Sequence, residues 1–245
     1  MIQRIFSSLS SFKSLELRPG LNVLLAKKEE GASDKQTRNK AGKTSLVEIV
    51  HFLMGSDAGK DSLFRLDALV KAAFGMEFDL GRERLRVERS GHQKSKIFVE
   101  IDSAQRGRKA LSNSEWVDFL GEKMFALHEI GDVDGYKKPT FRSLFSYFVR
   151  RQLSGAFTAP DRQAIKQQTG DSQTALLFLL GLDWRIASDW QKVREREKAL
   201  AELKKAANAG VLGSIIGKAS DLRTELTVAD ARLEEVKAQI SAFRV

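Results

Sequence analysis

Gly42-Lys43-Thr44-Ser45 stands between a short apolar run, Leu21-Asn22-Val23-Leu24-Leu25, and a segment whose apolar residues Leu46, Ile49, Val50, Phe52 and Leu53 fall on one helical face. That order constrains the fold more than any other feature of the chain. A strand, a loop and a helix in succession gather backbone N–H groups at the helix start, where the helix dipole favours an anion. The pattern predicts a buried strand over 21–25 after the Pro19-Gly20 turn and a polar loop over 27–40. A helix is expected from Thr44 that ends at Gly55. In a phosphate-binding loop of this kind, Asn39, Lys40, Ala41 and Gly42 supply loop amides and Gly42 allows close approach. Lys43 reaches the β- and γ-phosphates, Thr44 places its hydroxyl on Mg²⁺, and Ser45 follows in the first turn. Two positions depart from the full glycine pattern: Thr37 stands at the first glycine, and Lys40 at the glycine after Asn39.

Further along, Met76–Leu80, Arg84–Arg89 and Lys96–Ile101 are short strand-like runs with Gly81 and Gly91 in the connections, which predicts an antiparallel β-meander. Phe12–Leu17 alternates like a strand. A helix is expected over 114–127 with Ser114 as its N-cap. Another starts at Pro139-Thr140 and carries Phe141, Leu144, Phe145 and Phe148. A third runs over 172–180 and stops near Gly181. Leu176–Leu180 followed by Asp183 imitates an acidic strand end but reads as the end of that helix.

From Trp184 aromatic residues thin out and charge rises. Leu222, Leu226, Ala229, Leu233, Val236, Ile240 and Phe243 recur at spacings of four and three, a heptad seam. The expected division is a head at 1–183 and the start of a coiled-coil arm at 184–245, with a bend near 208–214 where Gly210 and Gly213 lie. The seam still runs at Val245, and an amphipathic stripe needs a partner. The expectation is therefore the N-terminal part of a longer protein, with a small protein that dimerises through its last helix as the alternative.

The chain carries a net charge of +9 and a pI near 9.7, which suits an acidic partner, nucleic acid first and anionic membrane second. Arg82, Arg84, Arg86, Arg89, Lys94 and Lys96 cluster, and a half-exposed strand bearing Arg84 and Arg86 on one face could meet DNA phosphates. With no cysteine, disulfides and thiolate zinc sites are excluded. His51, His92 and His128 match no metal spacing, and His51 reads as a packing residue. No signal peptide and no spanning segment are read, so the expected location is cytoplasmic.

Pro19-Gly20-Leu21-Asn22-Val23-Leu24 followed by Asn39-Lys40-Ala41-Gly42-Lys43-Thr44-Ser45-Leu46 resembles the opening of SMC, RecN and RecF proteins, ABC-type ATPases of DNA maintenance. The stretch from Ala41 to Gly55 is similar to coiled-coil ATPases of bacterial defence and ABC-three-component operons. The resemblance implies an α/β P-loop ATPase head lobe with an antiparallel β-subdomain and a protruding coiled-coil helix. It implies ATP and Mg²⁺ as ligands, and an ATPase that needs its own C-terminal half and a second head in a dimer. It further implies non-specific DNA, and subunits of a repair or defence complex, as partners. Phe148-Val149-Arg150-Arg151-Gln152 sits where that family has its Q-loop, so the resemblance makes Gln152 the residue that senses Mg²⁺ and the attacking water. Arg150 and Arg151 read equally as phosphate or DNA contacts and as a solvated helix end. Leu153-Ser154-Gly155 imitates the start of a signature motif but lacks its second glycine.

A different class stays open beside this one. Thr37 and Lys40 favour a non-enzymatic assembly or DNA-binding module with a degenerate loop, held in oligomers by its coiled coil. A small-molecule kinase is poorly served by the heptad arm.

Overall fold

The computed structural model describes residues 1–25, 43–102, 107–130, 135–209 and 219–242. It divides into two compact units, Met1–Ser188 and Asp189–Val245.

The first unit is mixed α/β. Its strands are β1 (Ile2–Ser7), β2 (Leu15–Glu16), β3 (Ala73–Leu80), β4 (Glu83–Ser90), β5 (Lys96–Ile101) and β6 (Lys109–Ser112). They form one antiparallel sheet in the order β2-β1-β3-β4-β5-β6. The expected meander is its centre. Leu80 pairs with Glu83 across a tight hairpin whose first loop residue, Gly81, has φ +63°. A positive φ there matches the twist of the flanking strands at no steric cost. Alternation sends Phe74, Met76 and Phe78 of β3, Leu85 and Val87 of β4, and Ile97 and Val99 of β5 into the core. The opposite face carries charge.

Helix α1 (Lys43–Leu53) lies against β3 and β4, and α2 (Asn113–Phe125) against β5 and β6. Helix α3 (Phe141–Phe148) packs on α2 and on α4 (Thr169–Leu179). Phe52, Leu53, Trp116, Leu120 and Phe141 join the sheet residues in one core. Phe52 and Phe64 stack with centroids 4.0 Å apart, and Phe64 meets Phe74 edge to face. Gly91 passes so close to the Phe64 carbonyl that a Cβ there would overlap it.

Several expectations need correction. Residues 21–25 form no strand: Leu21 is 92% and Leu25 70% exposed. Among the described residues no strand lies alongside to receive them, and apolar residues and β-propensity alone do not make a strand. Ser114 is not the N-cap of α2. Ser112 is, in a capping box: its hydroxyl accepts from Glu115 N at 3.2 Å and the Glu115 carboxylate accepts from Ser112 N at 2.7 Å. Strand β6 was not anticipated and runs directly into that cap. The helix begun at Thr140 is as expected, capped reciprocally with Ser143. Leu176–Leu180 is the end of α4, and Gly181 (φ +70°) follows it.

Helix α5 spans Arg185–Asn208 and α6 spans Ala219–Ala242. The division between units falls inside α5, not at 183/184. Trp184, Ala187 and Ser188 are buried, so the first turn of α5 belongs to the first unit. The expected bend at 208–214 begins where α5 ends and otherwise lies outside the described residues. In the second unit the seam residues Leu222, Leu226, Leu233 and Val236 are 45–62% exposed. Among the described residues no helix is long and apolar enough to cross a membrane.

Candidate functional site

The two ends of α1 differ in kind. At its C-terminal end, successive carbonyls each receive a side-chain donor. Arg89 Nη1 donates to Phe52 O at 2.6 Å and Ser56 O at 2.8 Å. Trp116 Nε1 donates to Leu53 O at 2.8 Å, Arg142 Nη1 to Met54 O at 3.0 Å, and Asn113 Nδ2 to Gly55 O at 3.2 Å. Donors from β4, α2 and α3 therefore satisfy carbonyls at this end of the helix, and the positive charges of Arg89 and Arg142 suit the negative end of the dipole. At the other end, Thr44 is exposed, Ser45 is half-buried, and the first turn contains no carboxylate. An anion approaching the N-terminus thus meets the positive end of the dipole without a competing acid.

Asn39, Lys40, Ala41 and Gly42 lie outside the described residues, as does the Lys43 side chain. Gln152 is exposed and opens a single 3-10 turn, Gln152–Ser154, closed by Gly155 at φ +72°. Its segment is held against α1 at two points. The His51 ring bonds Val149 O through Nε2 at 2.7 Å, and Arg151 pairs with Glu48 at 3.1 Å. Arg142 Nη2 reaches His51 Nδ1 at 2.7 Å.

These partners determine the histidine's state. A carbonyl only accepts, so Nε2 carries the hydrogen. A guanidinium only donates, so Nδ1 offers its lone pair. Burial pushes the His51 pKa down to about 3, and the charges of Arg151 and Arg142 add to that, against the weaker opposing effect of Val149 O. His51 is neutral and edge-on to Phe145 at 5.7 Å. Arg142, brought down to about 10 chiefly by burial, stays charged. His51 is indeed a packing residue, and it also bridges α1, α3 and the segment that follows α3.

The register has a direction. Val149 meets His51, and Arg151 meets Glu48, one turn nearer the start of α1. The later residue of the segment thus meets the residue of α1 nearer the helix start. Thr44, Glu48 and His51 are spaced i, i+4 and i+7, so they share one helical face. The structure brings α1 and the 149–151 segment together, although the two lie far apart in sequence.

Arg150 and Arg151 are partly exposed and both have protein partners. Arg150 Nη2 donates to Ala159 O at 2.9 Å and also to Arg162 O, which ties down the following loop. Arg151 belongs to Glu48. The basic strand also differs from expectation. Arg89 is 2% exposed, lies on the inner face and faces no solvent. Arg86 pairs with Glu77 at 3.6 Å and Glu88 at 2.8 Å, and Arg84 with Asp79 at 3.6 Å. One row across the outer face reads Glu16, Arg4, Glu77, Arg86, Glu100, alternating in sign through five strands. Cross-strand pairs of opposite charge stabilise such a face and reduce its pull on a polyanion.

The signal for the contacts of Glu48 and His51 was present only as helical spacing of two polar residues in the otherwise apolar stretch 46–53. Comparison with known protein families, with characterised proteins and with solved structures finds no match to this chain.

Proposed function

We propose that this chain is the nucleotide-binding lobe of a coiled-coil ATPase of the SMC/RecN type, in which Mg-ATP binding drives association of heads on DNA. The observation that supports the reading is the seating of 149–151 on α1, with Arg151 on Glu48 and Val149 on His51; on this reading Gln152 continues toward the Asn39–Ser45 motif. The residues present fit the ligand: an exposed threonine in a first turn free of carboxylates, directly after Gly42-Lys43. Lys43 and the amides of Asn39–Gly42 would hold phosphates, Ser45 would extend the first turn of amides, and Thr44 and Gln152 would face Mg²⁺. Bound Mg²⁺ supplies charge neutralisation at the phosphates.

The exposed Leu21–Leu25 run supports a lobe completed by another segment or chain that receives it as a strand. On that reading the lobe binds nucleotide weakly alone and hydrolyses little.

Calorimetry with Mg-ATP, on this chain and on Lys43→Ala, tests the proposal. Binding that weakens about tenfold or more in the variant, the equivalent of ~1.4 kcal/mol, is expected. Equal heats from both chains, or none from either, would overturn it.

One observation favours the second reading, a non-enzymatic assembly module: the strand that ordinarily leads into such a loop is not formed. Unaltered oligomeric state in the presence and absence of nucleotide, with no ATP heat, would select it.

A further inference from the structure

We propose that Glu48 and Arg151 are a positioning pair: their ion pair sets the register of the Gln152 segment along α1 and thereby the reach of Gln152 toward bound Mg-nucleotide. The inference rests on the nucleotide reading above and assigns roles to residues outside the phosphate-binding motif.

Two contacts hold the segment, and they differ physically. The His51–Val149 bond is buried and involves a neutral ring, so neither salt nor ordinary pH disturbs it. It fixes the segment's start. The Glu48–Arg151 pair is partly exposed, with side chains 23–27% accessible, and a pair in that setting is the weaker of the two holds. It sits next to Gln152 in the chain and one turn from Thr44 in the helix. Opening it leaves the segment joined to α1 by the His51 bond to Val149, three residues before Gln152. Beyond Gln152 the chain is fixed again: Ala156 is buried with its N–H on Arg151 O at 3.2 Å, and Ile165 N bonds Ser154 O at 2.9 Å. The residue between these fixed points takes its position from Arg151.

Arg142 completes the arrangement. It donates to His51 and to Met54 O, so α3, which leads into the segment, is locked to the same helix. The segment cannot follow a change at the N-terminus of α1 through α3. Among the described residues, the Glu48–Arg151 pair is the ion pair between this segment and α1.

The test compares the full chain with Glu48→Gln, which keeps shape and removes charge, with Gln152→Ala, and with the exchanged double variant Glu48→Arg/Arg151→Glu. ATP affinity is measured with Mg²⁺ and with chelator, and amide exchange over 149–155 is followed with and without Mg-ATP. In Glu48→Gln, the Mg²⁺-dependent part of the affinity should fall about tenfold, as for partners that orient a metal ligand, and match Gln152→Ala. Affinity in chelator should be unchanged, and Mg-ATP should no longer slow exchange over 149–155. The exchanged pair should recover both. A Glu48→Gln chain with wild-type Mg²⁺ dependence and wild-type protection, while ATP still binds and Lys43→Ala abolishes it, overturns the positioning role alone. Loss of affinity equally with and without Mg²⁺ also overturns it, as a merely structural effect. Failure of the unaltered chain to bind ATP sinks the nucleotide reading and this inference together.

Discussion

Arg89 lies over the ring of Phe52, 4.4 Å from its centroid, and donates to the carbonyl of that same residue at 2.6 Å. Its Nε also reaches Lys94 O at 2.9 Å, and Nη1 reaches Ser56 O at 2.8 Å. One buried guanidinium thus joins β4, the turn after it and the end of α1. Burial brings its pKa down to about 10, so it is charged at neutral pH.

Replacing Arg89 with Met keeps the aliphatic volume and leaves these carbonyls without donors. Each unsatisfied buried acceptor costs about 1–3 kcal/mol. Arg89→Met is expected to lower stability by about 3 kcal/mol or more, read as a shift of the urea midpoint at constant slope. A shift below about 0.5 kcal/mol would mean that water replaces the guanidinium.

His51 makes stability acid-sensitive. Its folded pKa of about 3 lies below the ordinary 6.5, so the unfolded chain binds the proton first as pH falls. The contribution is complete above pH ~6.5 and is lost progressively as pH falls toward ~3, at about 1.4 kcal/mol for each unit of pH between the two. Imidazole ¹⁵N shifts should show His51 without titration between pH 7 and 4, with the hydrogen on Nε2 throughout. In His51→Gln the loss of stability over the same range should be smaller than in the parent chain. Titration of the ring near 6.5 in the folded state would contradict its buried contacts.

The start of α2 separates two neighbouring serines. Ser112→Ala removes the hydroxyl that accepts from Glu115 N and should cost about 1 kcal/mol. Ser114, exposed in the first turn, should tolerate alanine within about 0.5 kcal/mol. Thermal melts of the two variants side by side check this, and equal losses would return the cap to Ser114.

Local pattern carried much of this architecture. The alternation in Met76–Leu80, Arg84–Arg89 and Lys96–Ile101 suffices for the meander because its strands pair with their sequence neighbours across short turns. Thr140 marks the start of α3, and Gly55 the end of α1, through backbone chemistry confined to a few residues. The same alternation misplaced nothing in β4 except the meaning of Arg89: its position on the inner face followed from period two, yet a charge there reads as surface until the carbonyls of α1 are in view.

Where a segment's state depends on a distant partner, the sequence was silent or misleading. Leu21–Leu25 has the composition of a buried strand, but a strand exists only when another receives its hydrogen bonds. The meeting of α1 with the segment after α3 was not legible in spacing. It is set by His51 meeting Val149 across 98 residues and by Glu48 meeting Arg151. The sequence by itself determined the helices, the meander and the motif at the start of α1. The tertiary structure decided which side chains meet the end of that helix, which arginines are buried, and that the segment after α3 lies against α1, because short-range periodicity records the face of an element and carries no term for what that face will meet.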